Sequence, residues 1–127
     1  MGQAGAFQVE RFGQTISVTP LRNLLALETD DLLTCDAGGA FGILEAKQAK
    51  DVVIDCRHLN RCDSSAIAVF VRLGRRSLAH RGRMAFCNVP PSIQNILEIT
   101  NLNTLWPIFA SIADAIAYVE KEKSEGV

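Results

Sequence analysis

Two short apolar segments on either side of a helical pattern constrain the fold of this chain most strongly. The segment "DVVIDC" (51–56) is rich in β-branched residues and is typical of a strand buried on both faces of a sheet. A second buried strand is predicted at "RMAFCNV" (83–89), and the residues between the two strands place apolar side chains at helical spacing. Strands that alternate with helices in this way predict an α/β fold around a mixed, partly parallel sheet.

The helix between these strands is predicted to turn one face to the sheet and another to water. Its inward stripe is expected to contain Ile67, Val71, Gly74 and Leu78, with Phe70 beside them. The face toward water carries three arginines, Arg72, Arg75 and Arg76. Gly82 is expected to close the helix, since glycine readily adopts the left-handed conformation of a helix end.

The rest of the chain supplies further elements to the same domain. Alternating residues around Gly13 in "FQVERFGQTISVTP" predict an antiparallel pair of strands. Further predicted elements are a short strand at "NLLALE" (23–28), a helix from Thr29, a helix at "PPSIQNILEIT" (90–100), an extended piece at "LWPIFA" (105–110) and a helix at "SIADAIAYVEKEK" (111–123) with Ser111 as N-cap. We expect one domain over residues 1–127, with about four packed helices and a frayed tail at 120–127.

Composition and charge narrow the classes of function. The 127 residues are 48% hydrophobic with a net charge of −1, which argues against general nucleic-acid binding. Charge is uneven, however: residues 57–83 hold seven arginines and one acid, Asp63, a formal charge of +6. This segment is either a solvated helix face or a basic surface for an acidic partner. Every apolar run is too short to span a membrane, so the chain is expected in the cytoplasm.

No catalytic or metal-binding motif is complete in the sequence. The four cysteines form no C-x-x-C pair, and with only two histidines they give no zinc-site spacing. The P-loop, the dinucleotide-binding glycine pattern and the serine-hydrolase nucleophile elbow are all missing. Cys56 and Cys87 are expected to be buried thiols, and a reactive Cys62 of low pKa is the single feature that would favour an enzyme. We therefore expect no catalytic residue, metal or cofactor.

The segment "CDSSAIAVF" (62–70) places an acid and two hydroxyls at the start of the central helix. Asp63 or Ser64 would serve as an N-cap there, which is a purely structural role. The same position suits phosphorylation, because the free N–H groups and partial positive charge of a helix N-terminus accommodate a phosphate. A hydroxyl at this point is therefore also a candidate phosphoacceptor.

Residues 51–119 closely resemble the STAS domain, named for sulphate transporters and anti-sigma-factor antagonists. The resemblance rests on the order of "VVIDC", "DSS", the helix, the turn "HRG", the strand "AFCNV" and the helix that ends at "LEITNL". It implies that the regulatory phosphoserine of the family falls on Ser64, that Asp63 supports kinase recognition and phosphoryl transfer, and that Ser65 is the second, structural hydroxyl. The implied fold, a small mixed sheet with helices around it, agrees with the fold expected above.

Two positions and one segment depart from the family pattern. Ala66 stands where a glycine usually follows the serine pair, which stiffens the start of the helix. Asn101 replaces the glycine of the Leu-Thr-Gly-Leu turn, a mild change because asparagine also suits a left-handed helix end. The family's early Gly-x-hydrophobic-Asp segment, which helps antagonists contact a kinase, is replaced by "LRNLLALETDDLLT" (21–34).

The resemblance implies two alternative functions. The first is a regulatory protein that binds an anti-sigma factor or serine kinase and is switched by phosphorylation of Ser64. The second is a free-standing STAS subunit that docks on an ATPase or permease component of a membrane transport system. Asp63, Ser65, Ala66, Arg72, Arg75 and Arg76 are the expected supports of the switch or of partner binding.

Overall fold

The computed structural model describes residues 7–21, 23 and 36–121. Five strands are present in this part of the chain: β1 (Phe7–Phe12), β2 (Thr15–Pro20), β3 (Asp51–Asp55), β4 (Met84–Cys87) and β5 (Ile108–Phe109). Five helices accompany them: α1 (Asp36–Glu45), α2 (Ser64–Ala79), α3 (Pro91–Ile99), α4 (Leu102–Leu105) and α5 (Ile112–Glu120). The predicted strand "NLLALE" and the predicted helical residues from Thr29 to Cys35 lie outside the described residues, apart from Asn23.

The strands form one sheet in the order β1-β2-β3-β4-β5. β1 and β2 pair antiparallel with Phe12 opposite Thr15, and Gly13 in the turn between them has a φ of +64°. β2, β3, β4 and β5 pair parallel in that order. The mixed, partly parallel sheet predicted from the sequence is therefore confirmed, as is the opening hairpin at Gly13.

Helices cover both faces of the sheet. Val52 and Ile54 of β3 point into the larger core, which contains residues of α1, α2, α3 and α4. Val53 between them points to the opposite face and packs with Ala115 and Val119 of α5. Consecutive side chains of a strand alternate between faces, so the central residues of a strand covered on both sides are all apolar. This explains the unbroken apolar run in "DVVID".

The face of α2 that meets the sheet differs from the one predicted. Its buried residues are Ala66, Val69, Phe70, Leu73, Gly74 and Ser77. The predicted burial of Gly74 and Phe70 is confirmed, and Ile67 and Val71 are half-buried at the edge of the core. Leu78 is 73% exposed, so its predicted place in the inward stripe is wrong. Buried Ser77 explains the error, because its hydroxyl donates to the carbonyl oxygens of Lys50 (2.6 Å) and Arg83 (3.1 Å). A hydrophobicity pattern assigns such a serine to the solvent face.

Two glycines permit close approaches between elements. A Cβ atom at Gly74 would lie 2.1 Å from the Cζ2 atom of Trp106, so the indole ring packs directly on the backbone of α2. A Cβ atom at Gly82 would lie 1.8 Å from the carbonyl oxygen of Lys50. The left-handed residue after α2 is Arg81, with a φ of +65°. The prediction that Gly82 provides the left-handed helix end is therefore wrong, since this glycine instead makes room for Lys50.

The C-terminal third of the domain follows the predicted order with one addition. Pro91 lies in the first turn of α3, Ser111 caps α5, and β5 occupies the sheet edge beside Pro107. The prediction of about four helices omitted α4, a single turn that follows Asn101. Asn101 has a φ of +63°, which confirms the left-handed conformation expected of this residue. Residues beyond Lys121, where a frayed tail was predicted, lie outside the described residues.

A buried carboxylate ends β3 and connects it with the following loop. Asp55 is 0% exposed and accepts hydrogen bonds from the Arg57 Nε (2.9 Å) and Nη2 (2.5 Å) atoms. The Arg57 backbone N–H and the Asn88 side-chain amide also donate to it, both at 3.1 Å. Burial pushes the pKa of Asp55 upward, but the hydrogen bonds from Arg57 and Asn88 outweigh it and leave the pKa below its ordinary value.

The substitution Asp55→Asn tests this arrangement. At neutral pH we expect it to lower the free energy of unfolding by about 2 kcal/mol, because hydrogen bonds to a charged acceptor are lost. A carboxyl group whose pKa is lowered by folding contributes stability above its unfolded pKa and loses that contribution as the pH falls through its folded pKa. The difference between wild type and variant should therefore shrink in acid. Urea unfolding measured from about pH 7 to about pH 2.5 follows this change.

The matched control is Asp114→Asn, which makes the same change at an exposed position of α5. Its effect at neutral pH should be much smaller, since a surface carboxylate gives up little on replacement. A deficit for Asp55→Asn that stays constant over the whole pH range would contradict a stabilising role for the Asp55 charge.

Candidate functional site

The loop that leads into α2 is fixed by hydrogen bonds from neighbouring segments. The side-chain oxygen of Asn23 accepts from the backbone N–H groups of Asn60 (3.0 Å) and Arg61 (2.9 Å). The hydroxyl of Ser92 donates to the carbonyl oxygen of Asn60 at 2.9 Å. Leu59 in the same loop is fully buried. These contacts set the position from which the chain enters α2.

Asp63 is the N-cap of α2. Its Oδ1 atom accepts from the backbone N–H of Ser65 at 2.9 Å and from the Ser65 hydroxyl at 2.5 Å. Its carbonyl oxygen accepts the first helical bonds, from Ala66 (3.0 Å) and Ile67 (3.3 Å). Of the two residues that the sequence offered as a cap, the structure therefore assigns the role to Asp63.

The two serines after the cap have different environments. Ser65 is half-buried, and its hydroxyl is held by Asp63. Ser64 is exposed, and its hydroxyl makes no hydrogen bond with the described part of the chain. The geometry thus leaves Ser64 as the accessible hydroxyl at the helix start. Ala66, the next residue, is fully buried against the core.

A shallow groove extends from Ser64 along the outer side of α2. It is lined by Ser64, Ile67, Ala68, Val71 and the three arginines Arg72, Arg75 and Arg76. Arg76 forms an ion pair with Glu45 of α1 and lies over the ring of Phe41, 5.9 Å from its centroid. Arg72 and Arg75 are exposed and form no ion pair within the described residues.

The groove brings together residues that were predicted to lie on different faces of α2. The three arginines do occupy a face away from the sheet, as predicted. Ile67 and Val71 were assigned to the core, and the structure places them in the groove beside these arginines. The result is a surface with an apolar strip, two arginines without an ion pair to the described residues, and the exposed hydroxyl of Ser64.

The described cysteines lack the properties of a nucleophile. Burial raises the pKa of Cys56 far above its ordinary value and raises that of Cys87 to about 12. Cys62 is half-buried, and burial together with the negative charge of Asp63 raises its pKa as well. A raised pKa keeps a thiol protonated and unreactive at neutral pH. The low pKa that would have favoured an enzyme is absent at Cys62, and the buried thiols expected at Cys56 and Cys87 are confirmed.

Two further properties concern the described residues alone. Within them, no three His, Cys, Asp or Glu side chains are grouped so that they would hold a metal ion. Among the helices found in residues 36–121, none is long and apolar enough to cross a membrane.

Comparison with known proteins agrees with this geometry. The family model for the STAS domain matches residues 23–115. Among curated proteins, an anti-sigma F factor antagonist of Paenibacillus polymyxa is 29% identical over 79 residues, which cover 61% of this chain and 66% of the relative. The matched region therefore spans just under two thirds of that relative's length.

Solved structures share the fold. The phosphorylated form of the Bacillus cell fate determinant SpoIIAA superposes with a TM-score of 0.69 at 19% identity, covering 91% of this chain and 100% of that protein. The anti-sigma factor antagonist SpoIIAA in its unphosphorylated form gives a TM-score of 0.72 at 18% identity, with 96% and 98% covered.

Part of an anion transporter has the same fold. The murine anion transporter Slc26a9 matches with a TM-score of 0.68 at 13% identity, covering 89% of this chain and 19% of the transporter. The family match extends over most of the chain and includes β3, β4 and β5 together with α1 to α4. The chain belongs to the STAS domain family.

Proposed function

We propose that this chain is a non-catalytic regulatory protein that binds an anti-sigma factor or a related serine kinase and is switched by phosphorylation of Ser64. The observation that carries the proposal is the contrast between the two serines: Ser64 is exposed and free of hydrogen bonds to the described residues, whereas Ser65 is held by Asp63. The similarity to an anti-sigma F factor antagonist supports the class of partner.

Phosphorylation of Ser64 would change the charge of the groove at one end. A phosphate adds about −1.5 to −2 charge at neutral pH, next to the carboxylate of Asp63. The start of α2 accommodates this group, because a helix N-terminus favours negative charge. The free energy of the folded chain would therefore change little. A partner with an acidic or tightly fitting surface would be repelled, so the modification would control the complex rather than the fold.

The neighbouring residues would support this switch in separate ways. Asp63 fixes the first turn and presents a negative charge to an incoming kinase, while Ser65 holds Asp63 in its capping rotamer. Buried Ala66 anchors the same turn to the core. Arg72 and Arg75 would attract acidic side chains of the partner. In this proposal the chain is a kinase substrate in the cytoplasm, without a cofactor or nucleic-acid partner of its own.

The substitutions Ser64→Asp and Ser64→Ala test the switch. Both chains, with wild type, serve as baits for a pull-down from native lysate, followed by mass spectrometry and by titration of the recovered partner. We expect wild type and Ser64→Ala to bind alike and Ser64→Asp to bind at least about tenfold more weakly, a loss of about 1.4 kcal/mol. A recovered kinase should phosphorylate wild type and leave Ser64→Ala unmodified.

Gln8→Glu is the matched control, because it adds the same charge at an exposed position of β1, far along the sheet from α2. It should bind like wild type. Equal affinities for Ser64→Asp and Ser64→Ala would contradict the switch.

The second candidate function is a docking subunit of a membrane transport system. The fold shared with part of the murine anion transporter supports it, as does the replacement of the family's early segment by "LRNLLALETDDLLT". In this case the groove would hold an ATPase or permease component without phosphorylation. Recovery of transport components by both wild type and Ser64→Asp would favour this function over the first.

Charge reversal of Arg72 and Arg75, which form no ion pair with the described residues, tests the groove itself. We expect Arg72→Glu combined with Arg75→Glu to weaken the partner complex at least about tenfold, with a smaller loss at high salt because the attraction is screened. Arg61→Glu is the control for charge, since Arg61 is exposed and lies outside the groove. The affinity for the partner, measured at two salt concentrations, shows how much of the loss is electrostatic. Unchanged binding of the double variant would contradict a role of these arginines in partner binding and leave them as part of a solvated helix face.

A further inference from the structure

A second cavity lies on the other flank of α2. It has a volume of about 390 Å³ and opens between α2, α4, α5 and the start of β4. Val71 and Arg75 line both this cavity and the groove that extends from Ser64, whereas Ser64 itself belongs to the groove alone. The volume falls within the range of pockets that take small molecules.

The walls of this cavity are mainly apolar. Trp106 packs on Gly74 at its inner side and is itself only half-buried. Leu78 from α2 is 73% exposed and Leu105 from α4 is 64% exposed, and both line the cavity. Two of the most exposed large apolar side chains of the described chain therefore meet at one opening. Burial of such side chains by an apolar ligand is favourable.

The charged groups at the cavity are all cations. Arg75 and Arg83 line it, and among the described residues no acidic side chain does. The Arg83 guanidinium is held over the ring of Tyr118, 5.3 Å from the centroid, and donates to the Tyr118 carbonyl oxygen at 3.1 Å. Arg75 is exposed and has no ion-pair partner within the described residues. Two guanidinium groups thus line an apolar space, and that of Arg83 is held in place by Tyr118.

We propose that this cavity binds a small anionic amphiphile, with an apolar chain against Trp106, Leu78 and Leu105 and a carboxylate head at Arg75. A guanidinium binds a carboxylate through paired N–H donors, which an uncharged or cationic head cannot exploit. The apolar walls favour the apolar chain of the ligand, and the guanidinium groups of Arg75 and Arg83 favour a negatively charged head group. This inference does not depend on the function proposed for Ser64.

Octanoate is the probe, with 1-octanol and octylammonium as ligands of equal chain length that carry a neutral or a positive head. Trp106 is the only tryptophan of the chain, so its fluorescence reports on this cavity. We expect saturable octanoate binding at least about tenfold tighter than binding of the other two probes. The variant Arg75→Gln should lower the affinity for octanoate about tenfold and leave the affinity for 1-octanol unchanged.

Arg61→Gln makes the same change at an exposed arginine outside the cavity and should bind octanoate like wild type. Leu105→Asp places a negative charge at the exposed rim of the cavity and should also lower the affinity for octanoate. Circular dichroism verifies that each variant is folded. Equal binding of all three probes, or an Arg75→Gln variant that binds octanoate like wild type, would overturn the proposal. So would sedimentation showing that two copies of the chain bury this surface while octanoate fails to bind.

Discussion

The carboxylate of Asp55 is the interaction on which the candidate site depends. It lies at the carboxyl end of a strand covered on both faces, where an unpaired charge would be very costly. Donors from Arg57 and Asn88 satisfy it, one at the start of the loop to α2 and the other just after the neighbouring strand β4. One buried acid therefore fixes both chain segments that leave the centre of the sheet.

From this anchor the chain reaches α2 through a loop with little freedom. Asn23 and Ser92 hold Asn60 from two sides, and Asp63 then closes the first turn of the helix. Because Asp63 engages Ser65, the carboxylate is directed toward that residue and Ser64 keeps an exposed hydroxyl. A helix cap and an accessible hydroxyl are thus two results of one side-chain orientation. In our proposal, regulation uses this arrangement without any change of fold.

Much of the fold was predictable because it rests on local signals. The buried strands, the hairpin at Gly13, the Ser111 cap and the left-handed Asn101 each follow from residue type and spacing. The face of α2 was not predictable in the same way. The buried hydroxyl of Ser77 is hydrogen-bonded to two backbone carbonyl oxygens. Only the tertiary arrangement brings these acceptors close to Ser77.

The candidate site was likewise predictable only where local signals determine it. The sequence indicated that "DSS" begins a helix, and residue propensities alone did not distinguish Asp63 from Ser64 as the cap. The groove and the cavity were also missed, since Ile67, Val71 and Leu78 looked like core residues. The side of α2 that meets the sheet instead carries Phe70, whose ring packs edge-to-face on that of Phe86 with centroids 5.7 Å apart.

The contact between Gly74 and Trp106 restricts the residues that related sequences can have at these two positions. The indole ring occupies the space that any side chain at position 74 would need. Substitution of the glycine alone would push the ring away from α2 and disturb the short segment between α4 and β5. Replacement of the tryptophan alone would leave a void over the helix backbone. The two positions are therefore expected to vary together, with a larger residue at 74 accompanied by a smaller one at 106.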